Sequence, residues 1–441
     1  MDVIFQPLDV RNLTFKNRIF RSNIAGRFDN YDGSGNQARI NWELKFARAG
    51  VGAIISSFVP VTIQGRIVPN YATIHRDEHV AFWRELGKRV HEHDCRYIMQ
   101  LSHSGRQRDI RGVEHAVSLS STAEPESLHG FECEAMTVGQ IGQTVEAFAH
   151  GARRAAEAGL DGVELHGANG YLITQFLSSA INDRTDDYGG SLENRARFLR
   201  EIVAAIRAEV GPEFHLQVKI STTEYNNDVF PWESKGNTVS DSAQVCKWLE
   251  DDGVDAIHVS AGAMFPHPRN PAGDMPLEAL EANYGSLLSS GKHTHRNMWM
   301  FRRWPFRNIF RWRWTRAHRG RIDGINLADA AAIKAAVSIP VICTGGFQTA
   351  SVIRDAITAG KCDAVSIARP LIANNDLVEL FAAGHDRPPK PCTYCNKCLV
   401  NTPNNPLGCY EQARFDSHDE MIAEVMSVFE PRPFESQPAQ R

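Results

Sequence analysis

At 441 residues with 42% apolar side chains, the chain can form one large domain with appendages or two or three ordinary domains. A formal charge of −4 and a pI near 6.5 argue against bulk nucleic-acid binding, and no window approaches the roughly 20 apolar residues of a membrane span. No basic start followed by an apolar run opens the chain, and its nine cysteines read as reduced thiols or metal ligands, so the expected compartment is the cytoplasm.

A strand-then-helix rhythm runs along most of the length. Apolar strands are predicted at 18–23, 52–59, 96–102, 162–166, 215–221, 256–261, 340–345 and 363–368. Amphipathic helices are predicted at 79–94, 138–158, 192–210, 240–253, 327–337 and 350–359. Eight strands with intervening helices match a closed parallel barrel, the α/β (β/α)8 TIM-barrel class, better than an open sheet. No GxGxxG follows a first strand to support a dinucleotide fold.

In such barrels the carboxyl ends of the strands carry the chemistry. After the third strand, the inward amide of Gln100 can read the polar edge of a planar heterocycle. The fourth strand opens into His166, Gly167, Ala168, Asn169, Gly170 and Tyr171. His166 and Asn169 can jointly hydrogen-bond one oxygen while Tyr171 delivers a proton, an oxyanion clamp plus a general acid. The same stretch also reads as a helix start with a capping Asn and a buried Tyr. Lys219 in the fifth strand is a cation inside a barrel, which calls for an anionic ligand or an internal ion pair. Gly345 and Gly346 after the seventh strand, with Arg369 after the eighth, form a phosphate cradle at the usual barrel position.

The motifs in order resemble the old yellow enzyme family of flavin-dependent oxidoreductases. They are Lys16-Asn17-Arg18, Gln64-Gly65-Arg66, QLSHSGRQ from Gln100, HGANGYLITQFLS from His166 and NDRTDDYGGSLENRARFLREIV from Asn182, with TGGF from Thr344 and SIARPLIANNDL from Ser366. They cover roughly residues 5–384. The resemblance implies a barrel binding FMN, with Gln100 on the pyrimidine edge, Lys219 near N1 and O2, and Gly345, Gly346 and Arg369 at the phosphate. Ser22, Asn23, Ile24, Phe58, His166 and Ala368 complete the implied contacts. It further implies that His166 and Asn169 hold a substrate carbonyl oxygen and that Tyr171 protonates the α carbon. Two departures stand out. Ile24 occupies a segment where many members carry a hydrogen-bonding Thr or Cys, and Lys219 is a point charge where an Arg fork is usual.

Two additions flank this frame. Cys392, Cys395, Cys398 and Cys409 follow C-x2-C-x2-C-x10-C spacing, which suits tetrahedral zinc or an iron–sulfur cluster. The tight triplet favours a cluster, and the segment resembles the [4Fe-4S] loop of 2,4-dienoyl-CoA reductases and trimethylamine dehydrogenases. An insertion at about 284–322 separates the sixth and seventh strands. Its stretch 296–321 holds four of the eight tryptophans and nine arginines without an acid. It reads as contact with an anionic membrane surface, a greasy lid for a hydrophobic or anionic substrate such as an acyl-CoA or sterol, or an oligomer interface. His267, in a Pro-rich loop after the sixth strand, reads as an ordinary surface histidine.

The expected organisation is a barrel over 1–384 and a cysteine-bearing extension with a polar tail over 385–441. The expected function is FMN-dependent reduction of an activated C=C bond by NADH or NADPH, in the cytoplasm or peripherally at a membrane. The rival is a dehydrogenase or demethylase that exports electrons through the cysteine cluster to a partner.

Overall fold

The computed structural model describes residues 2–108, 115–228, 231–283, 291–318 and 322–430. Parts of the predicted insertion (284–290 and 319–321) and the polar tail beyond 430 lie outside the described residues.

Eight parallel strands close a barrel in chain order. They are β1 (Ile19–Arg21), β2 (Ala53–Pro60), β3 (Arg96–Ser102), β4 (Gly162–Gly167), β5 (His215–Ser221), β6 (Ala256–Ser260), β7 (Val341–Thr344) and β8 (Ala364–Ile367). The last pairs back onto the first, with Val365 opposite Ile19. Helices α1 (Gln37–Arg48), α2 (Val80–His91), α3 (Val138–Glu157), α4 (Leu192–Val210), α5 (Val239–Asp251), α6 (Leu327–Lys334) and α7 (Ala350–Thr358) fill the crossovers. Capping fixes several starts. Thr137 with Gln140 forms a capping box on α3, and Thr238 with Asp241 forms one on α5.

Every predicted strand is present within one or two residues, whereas α1 was not anticipated. Its barrel-facing side carries Arg39 and Glu43 among Ile40, Leu44 and Phe46, all buried, so a charge pattern interrupts the apolar stripe. Those charges are answered by Arg21 on β1 and by Asp29, which pair with Glu43 and Arg39 respectively.

Strand alternation sorts the side chains. Outward residues such as Tyr97, Met99, Leu165 and Val218 join the helices in the main core. Inward residues stack in layers. The lowest is apolar, with Phe20, Ala53, Ile55, Ile98, Ala256 and Ile342, and a hairpin (Leu8–Val10 with Leu13–Phe15) plugs it from below. Above it lies a polar layer of Gln100, Glu164, Gln217 and His258, all essentially inaccessible. The carboxyl rim above that layer carries the site.

Between β6 and α6, helix Leu277–Ala282 precedes the insertion, which forms helices Lys292–Phe301 and Phe306–Arg316. After β8 the cysteine segment lies against the barrel. Gln348 brackets the backbone of Cys392 with bonds of 3.0 and 3.1 Å, and Asn41 of α1 donates to Val428 O at 2.9 Å. No described helix is long and apolar enough to cross a membrane.

Candidate active site

A cavity of about 1040 Å³ opens at the carboxyl ends of the strands. Its lining includes Ser22, Asn23 and Ile24 beyond β1, Phe58 of β2, His166, Asn169 and Tyr171 from β4, Lys219 of β5, and Ala368 and Arg369 after β8. The structure therefore brings most of the anticipated residues to one space. Gln100, Gly345 and Gly346 lie outside that lining.

The β4 end owes its shape to backbone conformation. Asn169 is left-handed at φ 63°, and Gly170 follows at φ 80°. A Cβ at Gly170 would lie 2.3 Å from Ala263 O, so only glycine fits that approach. Asn169 is not a helix cap. Its amide N–H donates to Ser221 Oγ at 3.1 Å, and its Oδ1 accepts from Asn270 Nδ2 at 2.6 Å. This network orients the side-chain amide and leaves its Nδ2 as the group available to a ligand. The Tyr171 ring packs between Phe58 and His166, with centroids 4.8 Å from each. Burial, reinforced by the charge of Lys219, holds the His166 imidazole well below its usual pKa, so it is neutral at pH 7. Its Nδ1 is buried without a protein partner.

Lys219 is 2% exposed, and its Nζ donates to Asn23 Oδ1 and lies 3.5 Å from Ser22 Oγ. Among the described residues no carboxylate lies within ion-pair distance of it, so the internal-pair reading does not hold. Burial brings its pKa down to about 8 against the opposing pull of Glu164. Glu164 itself sits one layer lower. Burial would raise its pKa, but His258, Lys219 and Gln217 together hold it below the usual carboxylate range. It accepts from Gln100 Nε2 at 2.7 Å and from Gln217, and meets His258 Nδ1 at 2.7 Å. Gln100 thus spends one end on Glu164, and its Oε1 is left buried and unpaired.

At the seventh and eighth strands, Gly346 is left-handed at φ 70°, and a Cβ there would meet Ile322 Cγ2 at 2.8 Å. Arg369 Nη1 donates to Asn396 Oδ1 at 2.6 Å, and its guanidinium lies 5.3 Å from the Tyr394 ring centre. The Tyr394 hydroxyl donates to Gly346 O. The cysteine loop is therefore fastened to the predicted phosphate end. Cys392, Cys395, Cys398 and Cys409 all line one cavity of about 310 Å³, and Arg414 Nη1 donates to Cys409 Sγ at 3.2 Å. Cys398 borders both this cavity and the larger one. Among the described residues, no three His, Cys, Asp or Glu donors are grouped closely enough to hold a single metal ion.

Sequence reasoning missed Glu164, His258 and Asn270. Glu164 lies two residues before His166 in a strand, so period-two alternation alone places it inward. Asn270 had no such signal, because a turn presents it. The backbones of His267 and Asn270 exchange two hydrogen bonds, 2.9 Å and 2.8 Å. His267 is fully buried rather than at the surface, and its Nδ1 accepts from the Arg269 N–H at 3.1 Å. It builds the turn that aims Asn270 at Asn169.

A buried cation beside a His, Asn and Tyr wall at the carboxyl rim of a closed eight-stranded parallel barrel places the candidate site where (β/α)8 enzymes carry theirs. Residues 3–280 match the model of the NADH:flavin oxidoreductase / NADH oxidase family. The chain is 39% identical over 302 residues to an NADPH dehydrogenase of Halalkalibacterium halodurans, covering 65% of this chain and 84% of that protein. It is 31% identical over 426 residues to an NADH oxidase of Thermoanaerobacter brockii, covering 93% of this chain but 58% of the relative. Its fold is similar to that of a 2-naphthoyl-CoA reductase bound to 2-naphthoyl-CoA (TM-score 0.74, 23% identity, 92% of this chain and 56% of the other). It is likewise similar to an old yellow enzyme homologue from Zymomonas mobilis (TM-score 0.66, 21% identity, 88% and 94%). The chain belongs to the NADH:flavin oxidoreductase family, the old yellow enzymes, and is an oxidoreductase. It spans a little over half the length of the NADH oxidase and of the naphthoyl-CoA reductase.

Proposed function

We propose that the chain is an FMN-dependent ene-reductase that reduces the activated C=C bond of an α,β-unsaturated carbonyl compound or enoyl thioester, with NAD(P)H as electron donor. The carrying observation is that His166, Asn169 and Tyr171 line one cavity with Lys219. The residues present fit FMN. Gln100 Oε1 and His166 Nδ1 are buried polar atoms without a protein partner, and Lys219 is a buried cation with only neutral side chains in reach. Ser22, Asn23, Ile24, Phe58, Gln100, His166 and Lys219 would hold the ring, and Gly345, Gly346, Ala368 and Arg369 the phosphate. When bound, FMN supplies the hydride chemistry, accepting from NAD(P)H and delivering to the β carbon.

The chain's own residues do the rest. Asn169, its Oδ1 held by Asn270, offers Nδ2–H to the substrate carbonyl oxygen, and neutral His166 offers a ring N–H. Both bonds strengthen as negative charge develops on that oxygen, which is how they lower the barrier. Tyr171 then gives its hydroxyl proton to the α carbon. Replacing Tyr171 by Phe is expected to slow alkene reduction by about 10²–10⁴-fold while NAD(P)H still reduces the flavin. Stopped-flow measurement of the two half-reactions checks this, and equal loss of both would remove Tyr171 from the acid role.

The cysteine segment supports a [4Fe-4S] site better than zinc. The tight C-x2-C-x2-C run with a remote fourth thiol is the spacing of cluster loops, and all four cysteines line one pocket beside Arg369. Cys398, on the wall shared with the reaction cavity, favours one second reading: a dehydrogenase or demethylase whose electrons leave through the cluster to a partner. Anaerobic iron analysis and substrate-only bleaching of the flavin separate the two readings. Bleaching by substrate without NAD(P)H would replace the reductase.

A further inference from the structure

A second cavity of about 1100 Å³ lies beside the reaction cavity, and its lining is overwhelmingly apolar. Its roof comes from the insertion. Met298 and Phe301 descend from helix Lys292–Phe301, and Phe310 and Trp314 from helix Phe306–Arg316. The rings form a ladder, with centroids 4.4 Å apart for Phe301 and Phe310 and 5.6 Å for Phe310 and Trp314. Trp314 is 3% exposed and its Nε1 donates to Gly273 O at 2.9 Å. Arg307 and Arg311 tie the roof to Glu278, and Asn297 Nδ2 donates to Leu128 O at 2.9 Å. These ties make the roof a built wall rather than a loose flap.

The two cavities share Arg27, Phe265, Leu399 and Thr402. Arg27 is the one Lys, Arg, Asp or Glu side chain among the chamber's described lining residues, and it is committed to Thr402 O at 2.8 Å. Away from Arg27, at the wall shared with the reaction cavity, a charged or phosphate-bearing group would lose its hydration against mostly apolar side chains. A hydrocarbon group would release water from apolar surface on both sides.

We propose that this chamber binds an uncharged, bulky hydrocarbon portion of the substrate, a long chain or fused-ring skeleton. The activated double bond of the same molecule then lies against His166, Asn169 and Tyr171. The proposal rests on the ene-reductase reading and adds the substrate class to it. It narrows the two substrate types that the sequence left open, because the chamber takes the apolar part and has no place for the nucleotide end of an acyl-CoA.

The test uses the flavin-loaded full chain and a series of 2-alkenals of increasing chain length. Each buried methylene is expected to lower KM by about fourfold until the chamber is filled. Filling it from the roof by Met298→Trp, or from the side by Leu280→Phe, is expected to collapse the KM ratio between long and short members toward one. Flavin content reports that each variant is folded. Calorimetric binding of 2-tridecanone, which has no double bond to reduce, gives a readout independent of turnover and is expected to weaken at least tenfold in the same variants. KM values independent of length in the wild type, or an unchanged length dependence in both folded variants, would overturn the chamber. Failure to reduce any alkenal while 2-tridecanone still binds in a Met298-dependent way would instead overturn the reductase reading and leave the chamber standing.

Discussion

Lys219 is a cation almost wholly buried within the barrel. Burial brings its pKa down to about 8, which would tie the proposed FMN binding to pH. Below pH 8 the ammonium is already present to donate to the ring of the proposed FMN, whereas above it the lysine must first take up a proton to make that bond. FMN affinity is therefore expected to fall by up to about tenfold per pH unit above pH 8. Fluorescence-quenching titrations between pH 7 and 9 would show this, and Lys219→Arg should flatten the profile. A flat wild-type profile would contradict it. Folding stability has the opposite sign. The unfolded lysine, at about 10.5, binds the proton more tightly than the folded one, so ligand-free protein gains stability as pH rises from 8 toward 10.5. The two measurements separate the ligand's share from the fold's.

At the scale of elements, α1 shows both the strength of the fold and the limit of reading it. Arg21, Asp29, Arg39 and Glu43 form a network whose four side chains are fully buried, and the Tyr97 hydroxyl adds a bond to Glu43 Oε1 at 3.2 Å. Glu43→Ala would strand Arg21 without its carboxylate, so a loss of about 3–5 kcal/mol is expected in urea unfolding at pH 7. A change below about 1 kcal/mol would mean that water or another group takes over. The same network hid the helix from a search for apolar periodicity, because its inner face pays no heed to hydrophobicity. The barrel strands were legible because their outward faces are mostly apolar, Arg21 being an exception. His166, Asn169 and Tyr171 were legible because they stand at or beyond a strand end, and Lys219 because it is a cation within an otherwise apolar strand stretch. Asn270 was not, since a turn stabilised by the buried His267 fixes its aim and no periodic pattern marks that turn.

For the molecule as a whole, the insertion has two faces. Its inner rings roof the apolar chamber, while Trp299, Trp304, Phe306, Ile309 and Trp312 stand 46–79% exposed on the other side. The anticipated cationic fringe is largely committed within the chain. Arg307 and Arg311 pair with Glu278, Arg303 lies over the Trp299 ring, and Arg313 bonds the carbonyls of Asn227 and Asp228. Contact with a lipid surface is therefore proposed to rely on the aromatics, with only modest dependence on salt. Cosedimentation with phosphatidylcholine vesicles, with and without phosphatidylglycerol, would measure it. Trp304→Ser combined with Trp312→Ser should release the protein severalfold, and a wild type that stays in the supernatant would end the proposal.

None of the described residues 291–318 lines the reaction cavity, although six of them line its neighbour. In the proposed chamber, two short helices would supply part of the choice of molecule, apart from the atoms that would carry out the reaction. Such a layout behaves as an interchangeable part: replacing the roof can change what is accepted while the proton donor and its clamp stay as they are.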